Sequence, residues 1–235
     1  MSAAESTAPQ AQAPPSPNIW RIYRAVVGVG LLCGVAIVVV YELTRPIIQR
    51  NQLEFREEAI KSVLPGALET QAFRMNDAGQ FEAAPSDARG GDLVFAGYDE
   101  NRALVGLALE AQGMGYQDVL RMLYGYSFEH QSILGIRVLE SRETPGLGDR
   151  IETDPKFLEN FGSLDVSVSA DGTAIAHPIE FVKPGEKNAA WQIDGISGAT
   201  ITSEATALML RESSGRWIPQ VRSRREDFKY KQRAE

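Results

Sequence analysis

The chain has 235 residues, one cysteine, two histidines and a formal charge of −7. That length accommodates one globular domain plus an anchor, and leaves no room for a second sizeable domain. Cys33 alone excludes an intrachain disulfide and a cysteine-held iron–sulfur or zinc centre, while His130 and His177 argue against a haem or histidine-rich metal site. If this protein moves electrons, an organic cofactor must carry them.

Residues Met1–Asn18 are rich in Ala, Pro, Ser and Gln, lack periodicity and are expected to be disordered. Ala25–Tyr41 is an uncharged apolar run near the lower length limit for a membrane-spanning helix, bracketed by Tyr23 and Tyr41 with Trp20 just outside. A cleaved signal peptide competes by length, but bulky Tyr41-Glu42-Leu43 offers no small-residue cleavage site, so an uncleaved anchor is expected. Arg21 and Arg24 precede the span and Arg45 and Arg50 follow it, so charge does not orient it. Gly28, Gly30 and Gly34 would allow close approach of another helix.

Arg50–Leu64 places Leu53, Ile60, Val63 and Leu64 on one helical face, stopped by Pro65-Gly66. Asp77–Asp92 reads as an exposed loop or irregular hairpin. Strands are predicted at Leu93–Tyr98, Leu104–Leu109, Ile133–Leu139 and Leu164–Val168, the last with clean alternation. Asp171-Gly172 signals a hairpin turn across which Ile179–Val182 would pair. Asp154, followed by Pro155, opens a short helix; Thr202 would cap another from Ser203 to Ser213, with Ala205, Leu208 and Met209 toward the core.

The expected architecture is α+β: a single transmembrane helix, then a mixed-sheet domain with short helices. Its plan is a tail at 1–20, an anchor at 21–44, a domain at 45–215 and a basic tail at 216–235. From Arg211 to Glu235 the charge is near +4, against about −11 for the rest. The tail's Trp217, Ile218, Val221, Phe228 and Tyr230 suggest docking on lipid headgroups or an acidic partner, with a solvated, partly helical terminus as the plainer reading. No Gly-x-Gly-x-x-Gly follows a strand, no P-loop occurs, and no nucleic-acid partner is expected.

Two stretches carry chemistry. In Asp194-Gly195-Ile196-Ser197-Gly198-Ala199-Thr200 a threonine hydroxyl stands behind residues with little side chain, just before a segment that reads as a helix. A helix start offers unpaired N–H groups and partial positive charge to a phosphate. In Glu143-Thr144-Pro145-Gly146-Leu147-Gly148, Pro145 fixes one backbone angle while the glycines let a flat ligand approach the main chain. Each stretch taken alone is also explained by an ordinary glycine turn.

Together these stretches resemble the RnfG/NqrC-type FMN-binding domain. In that family the final threonine of Asp-x-x-Ser/Thr-Gly-Ala-Thr carries FMN through a phosphoester, which maps onto Thr200, and the Glu-Thr-Pro-Gly-Leu-Gly loop lies against the isoalloxazine ring. The resemblance implies polar contacts from Glu143 and Thr144, an apolar one from Leu147, and roles for Gly148 and for Tyr116 in Gly113-Met114-Gly115-Tyr116. Ala59–Ala67 looks like the family's helix and stop after the anchor, so the likeness runs from about Arg21 to Leu210. Ser141 and Arg142 depart from relatives that carry histidine before the loop.

The resemblance further implies covalent FMN installed by an ApbE-type FMN transferase using FAD and Mg²⁺. Ser197 would hydrogen-bond the phosphodiester, Gly198 and Ala199 would keep the approach clear, and Asp194 would orient the loop. The chain would be a carrier subunit of an ion-translocating oxidoreductase complex moving electrons between ferredoxin and NAD. It would have no turnover alone and would sit in the bacterial inner membrane with its domain on the periplasmic or outer side. An NqrC-like subunit or stand-alone FMN carrier, a membrane-anchored binding or assembly module, and a hydrolase using Ser197 or Thr200 are the other readings; no convincing base supports the last.

Overall fold

A computed structural model describes residues 19–85, 88, 90 and 92–231. The segment expected to be disordered, Met1–Asn18, lies outside the described residues. The chain divides into two units, Met1–Asn51 and Gln52–Glu235, whereas the sequence reading placed the boundary near residue 45. Helix α1, Ile19–Val63, contributes to both. In the first unit it is exposed along its length, with an 18-residue window of mean hydropathy 2.4. Apolar side chains left uncovered over that span suit a lipid environment.

The second unit is built on a seven-stranded antiparallel sheet. Its strands are β1 (Glu69–Met75), β2 (Phe81–Ala84), β3 (Leu93–Tyr98), β4 (Leu104–Met114), β5 (Val119–Ser127), β6 (Ser132–Glu140) and β7 (Leu164–Asp165), in the order β2-β1-β3-β4-β5-β6-β7. A parallel pair, β8 (Glu180–Val182) and β9 (Gln192–Asp194), completes the strands. Helices α2 (Pro155–Glu159) and α3 (Thr200–Ser223) follow β6 and β9 respectively.

Both faces of the sheet are covered. Side chains alternate across a strand, so Val94, Ala96 and Tyr98 of β3 join one core while Leu93 and Phe95 join the other. The first core also receives Met209, Leu210, Trp217 and Ile218 of α3; the second receives Ala59, Ile60 and Val63 from the end of α1. Every residue of β3 is buried, which is why that strand reads as a continuous apolar run. The α1 end sits over glycines: a Cβ on Gly97 or Gly106 would lie within 3 Å of Leu64, and one on Gly125 would lie 1.8 Å from the Val63 carbonyl oxygen.

Several expectations need correction. Asp77–Asp92, expected as an exposed loop or irregular hairpin, contains β2 as the second arm of a hairpin that begins earlier, with β1, across the Asn76–Gln80 turn. Strands β1, β5 and β9 were not predicted, and β4 extends beyond Leu109 to Met114. The Asp171-Gly172 turn closes only a tight loop, with an isolated bridge between Val168 and Ile175. Ile179–Val182 does not pair across it; β8 pairs with β9 because the chain returns parallel through Lys183–Trp191. Leu164–Val168 contributes just two residues to the sheet.

Helix α3 begins three residues earlier than predicted and ends ten later. Thr202 is therefore no cap, and Ala199 occupies the capping position without a side-chain hydrogen bond. Met209 is buried as expected, but Leu208 is 54% exposed. The hydroxyls of Ser203, Thr206 and Ser214 donate to carbonyls three or four residues back, which satisfies them inside the core. The basic tail belongs to the domain: Trp217, Ile218, Val221 and Phe228 are buried, and Phe228 packs against Phe73 and Phe81. Tyr98 donates its hydroxyl hydrogen to the Phe228 carbonyl at 2.8 Å. These apolar residues pack in the core and are not presented for docking.

Candidate cofactor site

Three loops converge at one end of the sheet, and two are built the same way. In Thr144–Leu147, the Leu147 N–H donates to the Thr144 carbonyl at 3.1 Å, with Pro145 second and Gly146 third at φ +78°. In Ile196–Ala199, the Ala199 N–H donates to the Ile196 carbonyl at 3.0 Å, with Gly198 third at φ +85°. A positive φ confined to the third position is the type II pattern, which strongly favours glycine there. The third loop joins β4 to β5, closed by the Gly115 N–H on the Asp118 carbonyl at 2.9 Å.

Their neighbours fix these loops. Arg150 donates through Nη1 to the Ser197 carbonyl at 2.9 Å and through Nη2 to Asp154 at 2.7 Å. Asp154 in turn caps α2, accepting from the N–H groups of Lys156 and Phe157. The Arg150 hydrogen bond holds its carboxyl below the ordinary carboxylate range, helped by those amides. Asn160 bonds both the carbonyl and the N–H of Asp194, while the Asp194 carboxylate accepts from the Gly185 N–H at 2.7 Å. Asp194 is thus a brace of the turn, tied to Asn160 and Gly185. Across the site, Asp118 is held low first by the Val119 N–H and then by Arg142.

The loops border a cavity of about 340 Å³ lined by Tyr116, Glu143, Thr144, Leu147, Gly148, Gly198, Ala199, Thr200, Ile201 and Thr202. Of the residues expected to contact the cofactor, all lie there except Ser197, which is exposed and offers its carbonyl to Arg150. Thr200 is exposed on the first turn of α3. Tyr116, Leu147 and Ile201 are 63%, 52% and 55% exposed, an uncovered apolar rim. Thr202, Ile201, Gln117 and Arg150 were missed. A reading that starts α3 at Thr200 puts Thr202, Thr206 and Leu210 on one face, but the hydroxyls hid that period.

Residues 115–213 match the family model of the FMN-binding domain. Over that segment the chain resembles the FMN-binding domain. The G subunit of the ion-translocating oxidoreductase complex from Methanosarcina acetivorans is 28% identical over 190 residues, covering 81% of this chain and 89% of that protein. The fold resembles NqrC from Shewanella oneidensis (TM-score 0.56, 16% identity, 71% of this chain and 93% of that one). It also resembles the C subunit of the Na⁺-translocating NADH-quinone reductase from Parabacteroides distasonis (TM-score 0.58, 22% identity, 74% and 94%). Those likenesses speak to the fold alone. The folded unit extends past the matched segment, since β1, β3 and the end of α1 supply much of the second core.

The residues present suit a flavin phosphate. A Cβ on Gly198 would meet nothing within 4 Å, so the approach to Thr200 is open. Beside it, α3 begins without a side-chain cap, so its first N–H groups remain available to phosphate oxygens. The cavity volume and its exposed apolar rim fit a flat aromatic ring better than a small polar substrate.

Proposed function

We propose that this chain is the membrane-anchored, FMN-bearing electron-transfer subunit of an ion-translocating oxidoreductase complex of the RnfG kind, with FMN esterified to Thr200. The observation that carries the proposal is the exposed Thr200 hydroxyl at the edge of the cavity, on an uncapped helix start. Bound FMN supplies the ability to accept and pass on electrons. The chain supplies position: type II turns bring main chain to the cavity, Arg150 and Asn160 brace the acceptor loop, and Leu147, Tyr116 and Ile201 shield a ring face from water.

Attachment calls for an outside enzyme, because threonine is a weak nucleophile and the carboxylate in the cavity lining, Glu143, is engaged by the Thr202 hydroxyl and the Gln117 N–H rather than by Thr200. An ApbE-type transferase with FAD and Mg²⁺ fits. The Thr200 oxygen bonds to the FMN-side phosphorus, the pyrophosphate bond breaks, AMP leaves, and the hydroxyl proton passes to a base on the transferase. The carrier would partner other members of the complex, with its N-terminus in the cytoplasm and its domain across the cytoplasmic membrane. NqrC-like membership is the second reading, and the shared fold is compatible with it.

Co-expression with such a transferase, followed by ultraviolet imaging of a denaturing gel, tests the proposal. A fluorescent band supports covalent flavin, and a dark one favours a non-redox binding module. A C-terminal reporter active only in the cytoplasm would reverse the topology.

A further inference from the structure

Glu143 is where the three loops are joined. Its Oε2 accepts the Thr202 hydroxyl hydrogen at 2.7 Å across 59 residues, and its Oε1 accepts the Gln117 N–H at 3.1 Å. A Cβ on Gly115 would lie 2.4 Å from Oε1, and one on Gly148 would lie 2.3 Å from Oε2, so both positions are left bare around this one carboxylate. Glu143 is 7% exposed and Thr202 2%, yet both line the cavity that holds Thr200 at its edge. Both donors are neutral, so they hold the charge without cancelling it.

We infer that Glu143 sets the reduction potential of the flavin, and that Thr202 is a positioning residue that aims it. The inference rests on the FMN reading above. A fixed negative charge in the wall of a cavity opposes the arrival of electrons on a ring lodged there, and screening by water is weak at a buried group. The potential is thereby held low. Thr202 ties that charge to the same helical turn that bears Thr200, so the attachment point and the charge keep one spacing.

The test is a spectroelectrochemical titration of the full flavin-loaded chain in detergent, with electrons supplied by the electrode. Glu143→Gln keeps the size, with its carbonyl oxygen placed to accept from the Gln117 N–H and its amide placed to donate to the Thr202 hydroxyl, but removes the charge; its flavin is expected to titrate at higher potential. Thr202→Val should shift in the same direction by less, and Thr202→Ser should restore the wild-type value. A merely structural role for Thr202 would lower flavin content and thermal stability while leaving the potential of the remaining flavin unmoved. That result, or a Glu143→Gln potential equal to wild type, overturns the inference. Should Glu143→Gln fail to load, the Thr202 pair decides alone. A wild-type chain that takes up no covalent flavin overturns the attachment reading, and this one with it.

Discussion

Thr200 and Thr202 stand two residues apart on the first turn of α3 and have opposite surroundings. Thr200 is exposed at the cavity edge, whereas Thr202 is 2% exposed with its hydroxyl committed to Glu143. The two are chemically equivalent threonines, and the geometry leaves one hydroxyl accessible to an outside enzyme. In peptide mapping of the loaded protein, flavin should appear on Thr200 and never on Thr202. Modification at Thr202 would mean that this turn opens before the transfer.

The bare positions around Glu143 give a packing prediction. In Gly148→Ala the new methyl would meet the Glu143 carboxylate at 2.3 Å, its Cβ at 2.8 Å and the Thr202 hydroxyl at 2.9 Å, all inside contact distance. Overpacking of this kind costs about 1–3 kcal/mol. Thermal unfolding should register that loss together with reduced flavin content. Full loading at wild-type stability would show that the Glu143 side chain has room to swing aside.

At the opposite face of the sheet, Gly125→Ala would set a methyl 1.8 Å from the Val63 carbonyl oxygen, where only backbone can yield. A destabilisation of about 3 kcal/mol is expected as the end of α1 lifts from the sheet. Gly135→Ala is the matched control: its methyl would meet Val63 at an ordinary 3.8 Å and should cost little. Equal melting temperatures for the two variants, measured in detergent on the full chain, would contradict this account of how the helix is seated.

The structure assigns the basic C-terminal segment a structural role. Phe228 is fully buried between Phe73 and Phe81, at ring separations of 5.2 and 4.7 Å. Phe228→Ala should cost about 3–5 kcal/mol. Truncation after Arg216 should leave the domain unable to fold, which a circular dichroism melt would reveal. A folded truncated protein would return this segment to the docking role its charge suggested.

Much of the candidate site's local geometry was legible in the sequence because it lies in short, local signals. Pro145-Gly146 and Ser197-Gly198 specify their turns with their own residues, and Asp154-Pro155 specifies a helix start. What was not legible depends on partners distant in the chain. Strand β5 is buried on both faces at its centre, where Leu123 and Tyr124 serve different cores, so it shows no clean alternation. Strand β2 is short and at the sheet edge, within a polar segment. Thr202 reads as a cap because its acceptor, Glu143, is 59 residues away. Trp217 and Phe228 look available until β1, β2 and β3 are folded beneath them.

Acid should loosen the brace behind the acceptor loop. The folded pKa of Asp154 is depressed by Arg150, so its contribution is fully present above its unfolded value, about 3.9, and is lost as pH falls through the folded value. Asp154→Asn keeps a capping side chain but lacks the charge. Denaturant titrations from about pH 5 to about pH 2 should find wild type more stable at the upper end, with the gap closing toward the lower. A gap independent of pH would show that Arg150 draws nothing from the Asp154 charge.

The central claim concerns a single ester bond, and intact mass spectrometry of the full chain co-expressed with an FMN transferase measures it directly. Wild type should weigh one FMN ester more than its polypeptide, and Thr200→Ala should weigh the polypeptide alone. A wild-type mass equal to that of the amino acids, or an adduct that survives in Thr200→Ala, would contradict the account.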